Sequence, residues 1–468
     1  MSGAGAGGNA IAGVMPPLRP VRASRPALLA LGYALVLLPL TIPPRTSDNV
    51  MSRYLEVEAI ATRGTLVVEE TGLFQKTRPV DLVRFRGHFY SDKPPVLAVL
   101  ASPIYALLDR AGYRFAPSVA RFTVANLALT WSIVGLASAL SVYWLRVLLQ
   151  GVDLPPIASD LLALGLGFGT QVLTWAVSFN NHSVAAACIL GSMALTLREH
   201  PGRRGLLDRL LAGLLAGLAA TVDLPAGCLF LAGIGLIQWG RAWPFPWAYA
   251  LGAAGPLALH AWLQSLVTGS PLPVEMYPEA FHYPGSYWLT DEGTFREYGT
   301  RAGFALELLV GPAGWLTLTP ALLFGLLGLG LTIARRGDPV RPIALVVGGS
   351  LAVLVGYYAW GVRRTDFGGQ SFGVRHLLAI TPAVYFFAAV ALAKLRGRVA
   401  PALFVVLMGV GVFYAVEGVR DPWSRVEERE EEDPAIRAAQ RFVAYPYSRA
   451  RHKRATSPRP APRPGARP

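Results

Sequence analysis

Apolar residues recur along this chain in runs long enough to span a lipid bilayer, and that pattern limits the fold more than any other feature. About 20 apolar residues in helical conformation cross a hydrocarbon core. Eleven runs approach or exceed that length: 27–43, 118–145, 159–177, 183–197, 206–222, 224–239, 246–267, 311–333, 342–362, 376–393 and 399–416. A twelfth, 94–108, is shorter and opens on Pro94-Pro95. Runs of that length lie at an interface or re-enter rather than span. Only 15% of the residues are charged and 53% are hydrophobic, whereas soluble domains carry roughly 25% charged residues. Such a chain cannot clothe a water-facing surface. A secreted disulfide scaffold, a disordered protein and an ordinary cytosolic enzyme are excluded. The two cysteines, Cys188 and Cys228, lie inside apolar runs, which argues against a disulfide framework or a cysteine zinc site. The expected fold is an all-α polytopic membrane protein of about 11 transmembrane helices.

The net charge of +14 does not indicate nucleic acid. Seven of the positive charges fall in residues 448–468, and the rest fringe the apolar runs, where membrane proteins place Lys and Arg. The same charges set an orientation. If the N-terminal tail 1–26, with Arg19, Arg22 and Arg25, is cytoplasmic and 94–108 does not cross, the later inner loops carry 12 basic residues (Arg146, Arg198, Arg203, Arg204, Arg209, Arg241, Arg335, Arg336, Arg341, Lys394, Arg396, Arg398). The corresponding outer loops carry five (Arg296, Arg301, Arg363, Arg364, Arg375). Letting 94–108 cross reverses the two sets and violates the positive-inside rule. The expected organisation is therefore a transmembrane domain 27–417, with a first outer loop 44–117 containing the re-entrant or interfacial helix 94–108. A charged, Pro/Arg-rich tail 418–468 follows on the outside. Residues 427–433 form an acidic cluster, and 455–468 have the composition of a disordered segment. The first run reads as an uncleaved anchor.

Within the spans the acids Asp160, Asp208 and Glu307 lie near helix ends. Ion-coupled transporters carry ionisable groups at the midplane, so this distribution argues against one. The outer loops hold the polar chemistry instead. Asp48 follows the first span; either it or Ser47 can cap a helix through Arg53, Tyr54 and Glu58, or Asp48 can act as a general base at the membrane surface. The segment His88-Phe89-Tyr90-Ser91-Asp92-Lys93-Pro94-Pro95 sets Asp92 and Lys93 before a proline-led helix. That is either a cap with a solvated lysine or a place where Lys93 and backbone N–H groups hold a phosphate. The tight turn Phe179-Asn180-Asn181-His182 suits a sugar or a metal, or simply a hydrogen-bonded interface histidine. In the loop 268–303, aromatics including Tyr283 alternate with carboxylates, as in a carbohydrate surface or an interfacial belt. Arg363, Arg364 and Arg375, interleaved with glycines, suit an anion. If a divalent metal is bound, Asp92 and His182 are its candidates; no other cofactor is indicated.

Together these features resemble the GT-C membrane glycosyltransferases, in the branch of protein O-mannosyltransferases and lipid A aminoarabinose transferases. The resemblance rests on Asp48 with Tyr54 behind it, on Phe89-Tyr90-Ser91-Asp92-Lys93-Pro94-Pro95, and on Arg121 opening the next helix. It covers the chain to about residue 200; beyond that the layout is similar, with Gly368-Gly369 and Gly373-Val374-Arg375 before the tenth run. The family often has Asp-Glu where this chain has Asp48-Asn49. The resemblance implies a GT-C-like fold in a membrane, in bacteria the cytoplasmic one. It implies transfer of a hexosyl or pentosyl group from a polyprenyl-phosphate donor to a hydroxyl of a lipid, glycan or protein acceptor, with inversion, on the extracytoplasmic side. Asp48 is then the base, and Lys93, Arg364 and Arg375 hold the donor phosphate. Asp92, Tyr54, Tyr90, Asn181, His182 and Tyr283 line the substrate site. Asp48 is preferred to Asp92 because Lys93, directly beside Asp92, is expected to lower its pKa. The alternatives are a transporter or flippase of a lipid-linked substrate, and a non-catalytic assembly factor.

Overall fold

The computed structural model describes residues 24–116, 118–198, 202–241, 246–289, 300–361, 370–395, 397–426 and 434–436. Arg364, the acidic cluster 427–433 and the Pro/Arg-rich end 455–468 lie outside the described residues. The chain is helical almost throughout: α1 (Ser24–Thr41), α2 (Asp48–Arg63), a hairpin β1 (Leu82–Phe85) and β2 (His88–Ser91), then α3 (Val96–Arg110), α4 (Val119–Leu129) and α5 (Leu136–Leu148). There follow α6 (Pro156–Phe168), α7 (Gln171–Ala176), α8 (His182–Leu197), α9 (Gly202–Val222), α10 (Leu224–Arg241) and α11 (Trp247–Thr268). The last six are α12 (Arg301–Val310), α13 (Trp315–Leu318), α14 (Leu322–Ala334), α15 (Arg341–Gly356), α16 (Thr381–Lys394) and α17 (Val399–Arg420).

Every apolar run becomes helix, but not eleven unbroken spans. Among the described residues, five helices are long and apolar enough to cross a membrane: Ser24–Thr41, Val119–Gly151, Gly202–Val222, Arg341–Gly361 and Val399–Arg420. A sixth is added if the pair Arg301–Leu318 and Leu322–Ala334, bent by 103°, forms one span. The helices α6, α8 and α16 are apolar but shorter. The breaks have local causes. Pro320 has no N–H to donate and disfavours helix in the residue before it, so α13 stops at Leu318. The run 159–177 splits at Gly169, where α17 passes; a Cβ on Gly411 would lie 2.3 Å from the Gly169 carbonyl oxygen.

Small residues let α9 and α11 pack closely. A Cβ on Gly213 would lie 2.0 Å from the Tyr249 carbonyl oxygen, and one on Gly252 would lie 2.0 Å from that of Leu210. Overpacking of this kind costs about 1–3 kcal/mol. Gly213→Val should therefore lower the melting temperature in detergent, and an unchanged melting curve would show that the two backbones need not approach so closely.

The two ends of the bundle differ. α1 begins where Asp160 accepts from Arg25 Nε (2.8 Å) and Arg146 Nε (2.6 Å). α16 runs from just after Arg375 to Lys394, which pairs with Asp338 at 2.8 Å. The opposite end, to which α1 leads, gathers α2, the hairpin, the start of α8 and the residues before α16. There α3 packs its buried face (Val96, Leu97, Ala101, Tyr105) on α2. Its 15 residues extend about 22 Å, short of a core about 30 Å thick.

Candidate active site

The site begins on α2. Ser47 stands extended before the helix, yet its hydroxyl makes no capping bond, and Asp48 occupies the first helical position. From there Asn49, Ser52, Arg53 and Glu56 recur at helical spacing on one buried face. A buried stripe of polar groups needs partners. Arg53 donates to the Asn49 backbone oxygen at 2.9 Å and to its side-chain oxygen, and its other terminal nitrogen donates to Asn181 Oδ1 at 2.5 Å. Asn181 in turn donates to the Val222 carbonyl at 2.8 Å. The α7–α8 turn is thereby tied to α2 and to the end of α9.

The hairpin supplies the second part. Arg86 (φ 50°) and Gly87 (φ 89°) are both left-handed, the two-residue turn that matches strand twist. The resulting register pairs Leu82 with Ser91, which brings Asp81 beside Asp92. Lys93 Nζ bridges them, 3.0 Å from Asp81 Oδ2 and 2.9 Å from Asp92 Oδ2. Ser52 donates to the Asp81 carbonyl (2.5 Å) and lies 2.8 Å from the Ser91 hydroxyl, fixing the hairpin base on α2.

These charges interact. Burial, then the nearby Arg375, pushes the Arg53 guanidinium down to about 10, against the pull of Asp92, Asp81 and Glu56. Burial alone would raise the Asp81 carboxyl, but Lys93 holds it below its ordinary value. For Asp92 the balance reverses: burial pushes it up to about 6 although Lys93 opposes this. Lys93 does lower Asp92, as the sequence leads one to expect, but desolvation outweighs the ion pair, so the expected net depression is corrected to a rise. Asp48 is raised by partial burial and then by the Asp81 charge, while a Val80 backbone hydrogen bond acts the other way. Asp48 remains exposed, whereas Asp92 is buried.

The remaining expected residues divide into two groups. Arg375 is buried at this end, close enough to act on Arg53. The neighbouring His376 stacks on Tyr358 (4.2 Å, 9°) and meets the His182 ring edge-on at 6.1 Å. His182 Nδ1 is 2.6 Å from Asp223 Oδ2. Tyr54, by contrast, is core: its hydroxyl donates to Asn126 at 2.8 Å and its ring stacks on Phe115. Tyr90 is buried in β2. Tyr283 donates to the Leu82 carbonyl at 3.3 Å and packs on Phe89, so it braces the hairpin. Among the described residues no three His, Cys, Asp or Glu side chains are grouped to hold a metal ion; Asp92 is held by Lys93 and His182 by Asp223.

Sequence reasoning passed over Arg53, Asp81 and Asp223. Each had a signal: the polar stripe on α2, the alternating strands around Arg86-Gly87, and a lone acid joining the runs 206–222 and 224–239.

No family model matches the chain, and no curated protein matches it. Among solved structures, it is similar to ArnT from Cupriavidus metallidurans bound to undecaprenyl phosphate, with 18% identity, 82% of this chain and 63% of that one covered, and a TM-score of 0.48. It is also similar to the Archaeoglobus fulgidus oligosaccharyltransferase complex with Zn and sulfate (16% identity, 89% and 57% covered, TM-score 0.49). A third likeness is to archaeal oligosaccharyltransferase AglB from Archaeoglobus fulgidus in complex with an inhibitory peptide and a dolichol-phosphate (13%, 90% and 59%, TM-score 0.47). The chain spans less than two thirds of the length of each.

Proposed function

We propose that the chain is a GT-C-type membrane glycosyltransferase that moves a sugar from a polyprenyl-phosphate donor to an acceptor hydroxyl on the extracytoplasmic side, with inversion. The observation that carries this reading is the convergence of Lys93, Arg53 and Arg375 with Asp48, Asp81 and Asp92 at one end of an apolar bundle. A lipid-linked donor keeps its tail in the bilayer and presents its phosphate at such an end. The bond from the sugar carbon to the phosphate oxygen breaks, and the departing phosphate gains negative charge. Lys93 and Arg375 stabilise that charge, with Arg364 as a third cation. Lys93 uses two of its three donors on Asp81 and Asp92, which leaves one for the ligand. The acceptor oxygen attacks the sugar carbon from the opposite face as its proton passes to Asp48. Asn181, His182 and Asp92 bound the substrate.

Purified protein given polyprenyl-phosphate sugars should release polyprenyl phosphate in step with acceptor glycosylation. Movement of the lipid across a vesicle without bond cleavage would favour the flippase reading. The orientation has its own test. Exposed positions His88 and Glu279, changed to Cys, should react with an impermeant thiol reagent in intact cells, whereas Arg336 and Arg398 should react only after permeabilisation. The reverse pattern would put the site on the cytoplasmic face.

A further inference from the structure

Three segments distant in sequence meet around Arg375. Its guanidinium lies 5.7 Å from the Trp175 ring centroid and 4.8 Å from that of Trp423. The two indoles are edge to face, 5.0 Å apart at 81°, so the cation sits in the angle between them. Trp175 and Arg375 belong to the bundle, whereas Trp423 follows α17, where sequence reasoning placed only a tail.

That segment is fixed at two points. The Phe372 N–H, three residues before Arg375, donates to the Pro422 carbonyl at 2.9 Å. The Trp423 indole N–H donates to Ser178 Oγ at 2.7 Å, and the Ser178 hydroxyl donates to the Arg45 carbonyl at 2.9 Å. One chain of contacts therefore runs from the end of α17 to the loop before Asp48. Trp423 is itself buried.

Resting on the phosphate role proposed above for Arg375, we propose that Trp423 is a positioning residue of the donor site, clasping the Arg375 guanidinium with Trp175 so that its N–H edge is presented to the phosphate. Cation–π attraction from two indoles set at 81° walls the guanidinium on two sides and restricts its position without using its in-plane donors. The segment after α17 is thus a working part of the site.

The test uses the full chain in detergent, with undecaprenyl phosphate as the probe and thermal unfolding alongside. Trp423→Phe keeps an aromatic face and should bind within about threefold of wild type, whereas Trp423→Leu should bind about tenfold more weakly. In the Arg375→Ala background Trp423→Leu should cause no further loss, because Trp423 acts through Arg375. Ser178→Ala leaves the indole in place but untethered. It should weaken binding about threefold in wild type and not at all in Arg375→Ala, which keeps the test alive if the leucine variant does not fold. Wild-type affinity in both Trp423→Leu and Ser178→Ala, or equal losses in the two backgrounds, overturns the inference while sparing the phosphate role of Arg375. Unchanged binding by Arg375→Ala itself overturns both.

Discussion

Asp48→Asn protein is expected to fold, to bind polyprenyl phosphate with wild-type affinity, and to transfer sugar about 10²–10⁴-fold more slowly. The substitution keeps the shape of the side chain at the first position of α2 and removes its charge and its ability to take a proton. Two features favour Asp48 as base over its neighbours. It is the exposed carboxylate of the three, while Asp92 and Asp81 share the Lys93 ammonium. Its pKa is raised, by partial burial and by Asp81, which makes it a stronger base than Asp81, held below its ordinary value by Lys93; Asp92 is raised as well, so against Asp92 the preference rests on exposure and on the Lys93 pairing. The rate of the wild-type enzyme should therefore fall on the acid side as Asp48 protonates, and that limb should vanish in Asp48→Asn. Full activity in this variant would falsify the assignment and move the base role to Asp92.

Lys93→Met is expected to destabilise the protein by about 3–5 kcal/mol at neutral pH, the usual result of leaving buried charges unpaired. Two carboxylates lose their partner at once. The sign of the pH dependence follows. Asp81 is now held below its ordinary value by Lys93, so it adds stability at neutral pH that is lost as pH falls through its depressed pKa. Without Lys93 both acids lie above their unfolded values. The folded state then binds more protons than the unfolded chain, and stability rises as pH is lowered through those raised values. Unfolding curves in detergent from pH 5 to 8 read this directly, and Asp81→Asn in the Lys93→Met background should restore part of the loss at pH 7. A Lys93→Met protein as stable as wild type across that range would mean that the bridge contributes nothing to the fold.

The helical bundle was legible because hydrophobic burial is written in runs of residues. Its interruptions were less so. The runs 159–177 and 311–333 each read as one span, yet the first breaks at Gly169, where α17 passes, and the second before Pro320. The site followed the same division. Asp48, Asp92 and Lys93 stood out because charge is rare in this chain and they flank apolar segments. Asp81 was hidden in a loop because its role depends on strand register, which places it opposite Asp92. Arg53 was read only as part of a helix, since its partner Asn181 lies far along the chain. Tyr54 entered the site through the family resemblance, but the helix turns by about 1.7 turns between Asp48 and Tyr54 and points the latter into the core.

The clasp on Arg375 also has a consequence for biosynthesis. Arg375 leaves the ribosome before Trp423, and at about 5–20 residues per second the indole follows some seconds later. During that interval most of the helices are in the bilayer, among lipids that include any donor the membrane holds. With Trp423 still unmade, the arginine is not yet locked against the indoles. Under the proposed roles, synthesis of the segment after α17 is then the step that brings the donor site to full affinity, and a copy still lacking it would hold the donor more weakly.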